Sequence, residues 1–476
     1  MVRNEGLQPL LQTRCFRNTS EVRLEQCLPI VPLECTIPPV NSPRVPRALL
    51  AVIIVAYTAV GVLYAALTPT WQVPDEPAHY NYVRALAEGQ GFPVMEPGDY
   101  DQDLLDQLRD QGFPPELPIG PLEYEDHQPP LYYLLAAPIY RLFGGAVLPL
   151  RLLSVVFGAV LLVLAFATVS ALFPTRPELA LMTAAFIAFI PQHVAMTAGV
   201  NNDTLAEVVV GGVLWALAAY LGGGDDRPWA VGLLLAAALL TKTTAYIMVG
   251  VAIVTVAIRR RQGRRTWGWA MGQLAWMLIP ALLLSAPWFI RNGVTYGWQD
   301  PLGMARHNAV VEGQLRSRDY LAIYGWRGLL GQMACTTFHS FWGQFGWMGV
   351  VLPSRIYQGL GLLSTVLLAG FLWWLCSRTR PRLISLQRAG LLLLLASFFF
   401  TTLSFFWYNL TFVQHQGRYL FPALIPIGMA AALGLSTLTG ALPRRMRSWV
   451  TIGLFAGLAA LDVYCLFQFI IPFLAR

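Results

Sequence analysis

From residue 48 to its last residues the chain repeats stretches of about 20 apolar residues. As a helix, each is about 30 Å long, the thickness of a bilayer's hydrocarbon core. Inside that core every backbone polar group must be satisfied internally, which leaves helices or closed barrels. Stretches of this length favour helices. The fold class expected is an all-α polytopic membrane protein. Only 12% of the residues are charged, against about a quarter in soluble domains, which excludes a soluble globular protein.

Helices are expected at roughly 48–67, 148–173, 178–197, 204–221, 229–241, 244–258, 268–290, 356–376, 389–408, 418–438 and 448–473. The apolar stretch 229–258 is divided at Thr241-Lys242-Thr243, because two short helices put every other loop on a consistent side. The test is the excess of Arg on cytoplasmic loops. Segments 259–265, 378–388 and 444–447 hold twelve Arg and no acid. With eleven helices all three share a face with the Arg-bearing N-terminal tail; with ten, the later clusters land opposite it. The tail, 1–46, is polar, Pro-rich and aperiodic, and is expected to be disordered and cytoplasmic. The first apolar run lies too deep for a usual cleaved signal, so it is read as a retained helix. The membrane region, 47–476, then carries two long outer loops, about 69–147 and 291–355, with juxtamembrane helices.

The net charge of +7 conceals an asymmetry. Thirteen of the 26 acidic residues lie between Asp75 and Asp126, and the rest of the chain has 31 basic residues against 13 acidic. The basic balance follows the loops between apolar runs, so it reports membrane orientation and not nucleic acid. The six cysteines form no CxxC and suggest neither a disulfide framework nor a zinc site. No internal repeat of the kind built into transporters is found.

In the eleven-helix arrangement all six histidines, His79, His127, His193, His307, His339 and His415, fall at the outer side. Asp75, Glu76, Asn201-Asn202-Asp203, Lys242, Arg291 and Arg418 fall there too. Polar material gathered at one interface marks a site fed from one leaflet.

Its strongest segment is Pro74-Asp75-Glu76-Pro77-Ala78-His79-Tyr80. Pro77 suits the first turn of a helix that Gly89 ends, and Asp75 or Glu76 fits its cap. The same carboxylates, held at the membrane surface, have the chemistry of a general base for an acceptor hydroxyl. The two readings are compatible. Glu76-x-x-His79 has the i, i+3 spacing of some metal sites, but no third ligand stands at a defined spacing. No metal ligand is assigned, and a divalent cation is left open. Asp99-x-Asp101-x-Asp103 lacks the Gly and closing Glu of a calcium loop and reads as a solvated acidic loop.

Glu125-Asp126-His127-Gln128-Pro129-Pro130 leads into a Leu/Tyr-rich helix ending near Phe143, with His127 and Gln128 as donors to a polar headgroup. Lys242 is the single lysine, costly in an apolar stretch unless it meets a partner or snorkels. A lipid phosphate is one such partner, and Arg291 and Arg418 at outer helix ends have similar potential. Asn201-Asn202-Asp203 fits the cap of the fourth helix. Trp342-Gly343-Gln344-Phe345-Gly346-Trp347 offers an aromatic and an amide suited to a sugar ring, or an interfacial aromatic belt.

Taken in order, the acidic pair after the first span, PPLYY, Arg-Leu-Leu-Ser, L-T-K and P-W-F-I-R-N resemble the GT-C glycosyltransferases. Within these the wording most resembles the protein O-mannosyltransferase and aminoarabinose-transferase relatives. PDEPAHY, HQPPLYYLL and QGRYLFPALIP also resemble bacterial membrane proteins of the same layout. The resemblance covers about residues 48–440. It implies a polyprenyl-phosphate-linked sugar donor and a lipid, glycan or protein acceptor, joined with inversion at the outer face of the plasma (inner) membrane. By position Asp75 is then the base, with Glu76 beside it. His127 stands near where relatives carry a basic residue, while Lys242, Arg291 and Arg418 are phosphate candidates from topology and charge. His79, Gln128, Trp342 and Gln344 are substrate candidates. A transporter or flippase of lipid-linked glycans would show half-to-half symmetry and short loops on both sides, which are not evident. A non-catalytic membrane subunit with a degenerate site is the other alternative, and intact Asp75 and Glu76 argue against it.

Overall fold

The computed structural model describes residues 44–223, 227–311, 313–377 and 382–475; residues 1–43 of the expected tail lie outside them. The chain runs α1 (Arg44–Leu67), α2 (Glu76–Ala87), α3 (Gln102–Asp110), α4 (Leu131–Leu142) and α5 (Val147–Leu172). It continues through α6 (Pro177–Ala188), α7 (Pro191–Thr197), α8 (Asp203–Leu221), α9 (Pro228–Leu239), α10 (Ile247–Gln262) and α11 (Trp267–Tyr296). In the second long loop come α12 (Met304–Val310), α13 (Ser317–Trp342) and a two-stranded hairpin, β1 (Gln344–Phe345) and β2 (Val350–Val351). Then follow α14 (Ser354–Cys376), α15 (Ser385–Tyr408), α16 (Leu424–Leu438), α17 (Arg444–Cys465) and α18 (Ile471–Leu474).

Every expected apolar stretch is helical. Among the described residues nine helices are long and apolar enough to cross a membrane, and the bent pair α6–α7 makes a tenth. The bend, 68°, follows from Pro191, which drives Ile190 into extended backbone and ends α6. The eleventh stretch, α9, has 12 residues and so a length of about 18 Å, short of a full crossing. The expected division at 241–243 is present, since α9 stops at Leu239 and a 3-10 turn, Thr243–Tyr246, starts α10.

Outward faces stay apolar: Leu283, Trp276 and Phe399 are each more than half exposed, as suits lipid-facing helices and not a water-facing surface. Between helices, small residues bring backbones together. A Cβ on Gly434 of α16 would lie 2.1 Å from the Leu367 carbonyl oxygen of α14.

The Arg-rich connections share one end of the bundle. There Gln262 Nε2 donates to the Ser385 carbonyl and hydroxyl, both at 3.0 Å, and Arg176 donates to Ser436 Oγ at 2.8 Å. The opposite end is capped by the two long loops, which are folded and not merely solvated. They share a second core in which Met95, Leu105, Leu108, Phe113 and Leu122 of the first loop pack on Val310 and Val311 of the second. Asp101 caps α3, accepting from Leu104 N at 3.0 Å, so the Asp-rich run serves a helix start.

Candidate active site

Between this cap and the bundle lies a polar cavity of about 200 Å³, walled by Asp75, Tyr124, Glu125, His307, Trp347, Tyr408, Gln416 and Arg418 among others. It is smaller than the ~300–1,000 Å³ typical of drug-sized ligands and suits a single sugar ring.

Asp75 occupies the N-cap position of α2 at φ 67, ψ −3, and its side chain makes no cap bond. Asp tolerates this left-handed conformation better than most residues. The turn aims the carboxylate into the cavity instead. Arg418 Nη2 donates to Oδ2 at 2.6 Å and the Tyr124 hydroxyl donates to Oδ1 at 3.1 Å. Burial pushes the Asp75 carboxyl up, but Arg418, by its charge and its hydrogen bond, and then Lys242 hold it below the usual carboxylate range. It is ionised at neutral pH.

The adjacent carboxylate is placed differently. Glu76 is fully buried and accepts four hydrogen bonds, from Arg151 Nε (2.7 Å), Arg151 Nη2 (2.6 Å), Trp71 N (3.0 Å) and Val200 N (3.1 Å). Arg151 also donates to the Ala65, Thr68 and Pro69 carbonyls. The pair ties the end of α1 to α2, to α5 and to the start of α8, and Glu76 has no lone pair left for a substrate.

Beside Asp75 the charges alternate. Lys242 Nζ lies 2.7 Å from Asp203 Oδ1, and Asp203 Oδ2 lies 4.0 Å from Arg418 Nη1. Lys242 therefore faces a carboxylate and does not snorkel. Capping of α8 falls to Asn201, whose Oδ1 accepts from Thr204 N at 3.3 Å, which leaves Asp203 free for the cations. Two carboxylates and two cations form a group with no net formal charge.

His79 and His127 are neutral. His79 Nδ1 lies 2.8 Å from the Tyr133 hydroxyl, and burial, then Lys242, brings its pKa down to about 3. His127 packs against His307 with the rings tilted, 4.5 Å between centroids, and burial, then His307, holds it well below the usual range. Gln128 accepts from Asn202 Nδ2 at 3.3 Å. His79, His127 and Gln128 thus stand behind the cavity wall as buried hydrogen-bonding groups.

Other expected residues lie elsewhere. Arg291 donates to the Phe92 carbonyl at 3.1 Å and to the Pro93 carbonyl, clamping the first loop to α11. Trp342 points away from the cavity, donates to Ser364 Oγ at 3.2 Å and packs on Phe186. The aromatic from the same motif that reaches the cavity is Trp347, at φ 53, held by its Nε1 on the Trp71 carbonyl at 2.9 Å. Gln344 sets the hairpin turn by donating to the Met348 carbonyl at 2.9 Å.

Two carboxyls carry protons that the sequence reading did not foresee. Glu125 lines the cavity with Oε2 unpartnered, and burial, then the charge of Asp75, pushes it up to about 8. Burial, then Glu123 and Asp99, raises Asp126 to about 9. Asp126 binds its proton more tightly folded than unfolded, so its contribution to stability is present in acid and lost as pH rises through about 9. Asp126→Asn is expected to match wild type near pH 4 and to exceed it at pH 9, read as thermal midpoints at both values. Among the described residues no group of three His, Cys, Asp or Glu converges to hold a metal.

Below the cavity, an apolar groove of about 840 Å³ runs between α13, α14, α15 and α16, from Phe338 and Phe341 down to Leu383 and Arg388. Its upper end abuts the segment carrying Arg418. Gly417 N donates to Ser340 Oγ at 2.7 Å, and a Cβ on Gly417 would lie 2.3 Å from the Phe341 backbone N. Gly417→Ala is therefore expected to force α13 and Arg418 apart, at about 1–3 kcal/mol, with a lowered melting temperature as the readout.

Residues 127–290 match the family "Dolichyl-phosphate-mannose-protein mannosyltransferase". The GT-C resemblance is matched there. The matched segment carries His127, Arg151, Asp203 and Lys242, while Asp75 and Arg418 lie outside it. No curated protein matches the chain. Among solved structures, ArnT from Cupriavidus metallidurans bound to undecaprenyl phosphate aligns at 14% identity with a TM-score of 0.49, and apo ArnT from the same organism at 15% and 0.41. Each alignment covers 90% of this chain and 74% of the other.

Proposed function

We propose that this protein is an integral membrane glycosyltransferase that moves a sugar from a polyprenyl-phosphate-linked donor to an acceptor hydroxyl at the outer face of the membrane. The observation that carries the reading is the meeting of an ionised Asp75 with Arg418 and the Lys242–Asp203 pair in a sugar-sized cavity. The apolar groove at its edge supplies room for a polyprenyl chain, and the matched family is named for a lipid-phosphate sugar donor. The Arg-rich end faces the cytoplasm by the positive-inside rule, which sets the cavity outside.

Asp75 takes the proton of the acceptor hydroxyl as its oxygen attacks the anomeric carbon. The bond from that carbon to the phosphate oxygen breaks on the opposite side, with inversion. Polyprenyl phosphate leaves with the electron pair, stabilised by Arg418 and Lys242. At rest Arg418 keeps Asp75 weakly basic. A donor phosphate draws that guanidinium towards itself, and Asp75 becomes a stronger base when the donor is in place. Trp347, Gln416 and Tyr408 offer the stacking and hydrogen-bonding surfaces for the sugar.

The test uses the purified chain in lipid vesicles with a radiolabelled polyprenyl-phosphate sugar and a panel of lipid, glycan and protein acceptors. Label is expected to pass to one acceptor class with release of polyprenyl phosphate. Donor crossing the bilayer without transfer would assign a flippase instead.

A further inference from the structure

At the Arg-rich end, far from the polar cavity, a pocket of about 510 Å³ opens between α10, α11 and α15. We propose that it binds the phosphate headgroup of an anionic phospholipid of the leaflet at this end, the inner one on the orientation proposed above.

The pocket has the two-part chemistry of an amphiphile. Its inner wall is apolar, formed by Val254, Ile258 and Leu392, while Arg260, Arg261 and Arg388 surround its mouth and no acidic residue lines it. None of these three arginines is in an ion pair with a described residue. The Arg260 guanidinium lies 3.6 Å over the Trp267 ring, and its Nε is buried with no hydrogen-bond partner. A buried, unsatisfied donor on a cation is costly, and a phosphate oxygen supplies the acceptor it lacks. Two long helices also begin here: α11 at Trp267 and α15 at Ser385, so their positive dipole ends add to the arginines. Gln262, bonded to the Ser385 carbonyl and hydroxyl, closes one side and fixes the spacing between α10 and α15.

These features select among ligands. Free phosphate has nothing to place on the apolar wall. A zwitterionic lipid brings a cation that three arginines repel. An anionic phospholipid satisfies both halves, and each arginine near an anionic headgroup is worth about fivefold in affinity.

The test uses the full chain in phosphatidylcholine vesicles with increasing fractions of brominated phosphatidylglycerol, with Trp fluorescence as the readout. The signal of Trp267 is the difference between wild type and Trp267→Phe. Brominated phosphatidylglycerol is expected to quench it at fractions where brominated phosphatidylcholine does not. Arg388→Gln should raise the half-quenching fraction about fivefold, and Arg260→Gln with Arg388→Gln about 25-fold, while Arg388→Lys keeps most of the preference. Melting temperatures in pure phosphatidylcholine check that each variant is folded. Equal quenching by the two brominated lipids would overturn the proposal, as would folded double variants with an unchanged preference. Relief of quenching by millimolar inorganic phosphate alone would reassign the site to free phosphate.

Discussion

Asp75→Asn is expected to lower sugar transfer by about 100- to 10,000-fold while donor binding persists, the loss typical of removing a positioned base. The substitution is close to isosteric, and Asn also tolerates the left-handed backbone at φ 67, so the turn into α2 survives. What changes is the charge. Arg418 loses its 2.6 Å carboxylate partner, and a donor phosphate no longer competes with Asp75 for that guanidinium. Donor affinity should therefore stay level or tighten as turnover collapses, the signature of a group that acts in the transition state and not in ground-state binding. Both quantities come from one preparation: equilibrium binding of radiolabelled donor, then single-turnover transfer at saturating donor. Melting temperature reports whether the buried Arg418 tolerates the loss. Transfer at the wild-type rate would remove Asp75 from the mechanism and turn attention to Glu125, whose unpartnered Oε2 lies in the same cavity wall.

The bundle was legible because lipid imposes a coarse code. Length and apolarity place most helix ends to within about a turn, although α11 runs on to Tyr296, past the expected 290, and the Thr241-Lys242-Thr243 break is present where loop polarity required it. The bend inside 178–197 was equally readable, since Pro191 restricts Ile190, but a continuous apolar run masked it. The acidic segment was harder. Its charges suggested solvation, yet its apolar minority, Met95, Leu105 and Leu108, finds a partner in Val310 and Val311, some 200 residues away. A core assembled from two loops leaves no local period to detect.

The same limit governs the site. Asp75 and Arg418 were each singled out, but their pairing spans 343 residues and is a product of packing alone. Asp75 and Glu76 are neighbours of one chemical type, and only the left-handed turn sends one to the cavity and the other to Arg151. Trp342 and Trp347 present the same ambiguity within one motif. The hairpin turn decides it, carrying Trp347 to the cavity while Trp342 ends α13 among apolar side chains. Asp203 was read as a cap because Asn-Asn-Asp precedes a span. That Asn201 takes the capping role depends on which side chain the local backbone turns inward.

The separation of Asp75 from Glu76 has its own large consequence. Glu76→Ala should destabilise the protein by about 3–5 kcal/mol, the cost of leaving a buried ionic partner uncompensated. Arg151 would lose two donations, and the Trp71 and Val200 amides one acceptor each. Four chain segments meet at that carboxylate, so the damage spreads to the loop that presents Asp75. A drop in transfer alone would thus not distinguish a structural role from a catalytic one. The double substitution Glu76→Met with Arg151→Met does. Removing both charges together avoids the orphaned guanidinium, and apolar replacement of a buried pair is often close to neutral. Some loss should remain, because the Ala65, Thr68 and Pro69 carbonyls also depend on Arg151. Stability in detergent is expected to recover part of the way, and transfer per folded molecule to recover with it. If the double variant regains stability and stays inactive, Glu76 touches the reaction and its role is not structural alone.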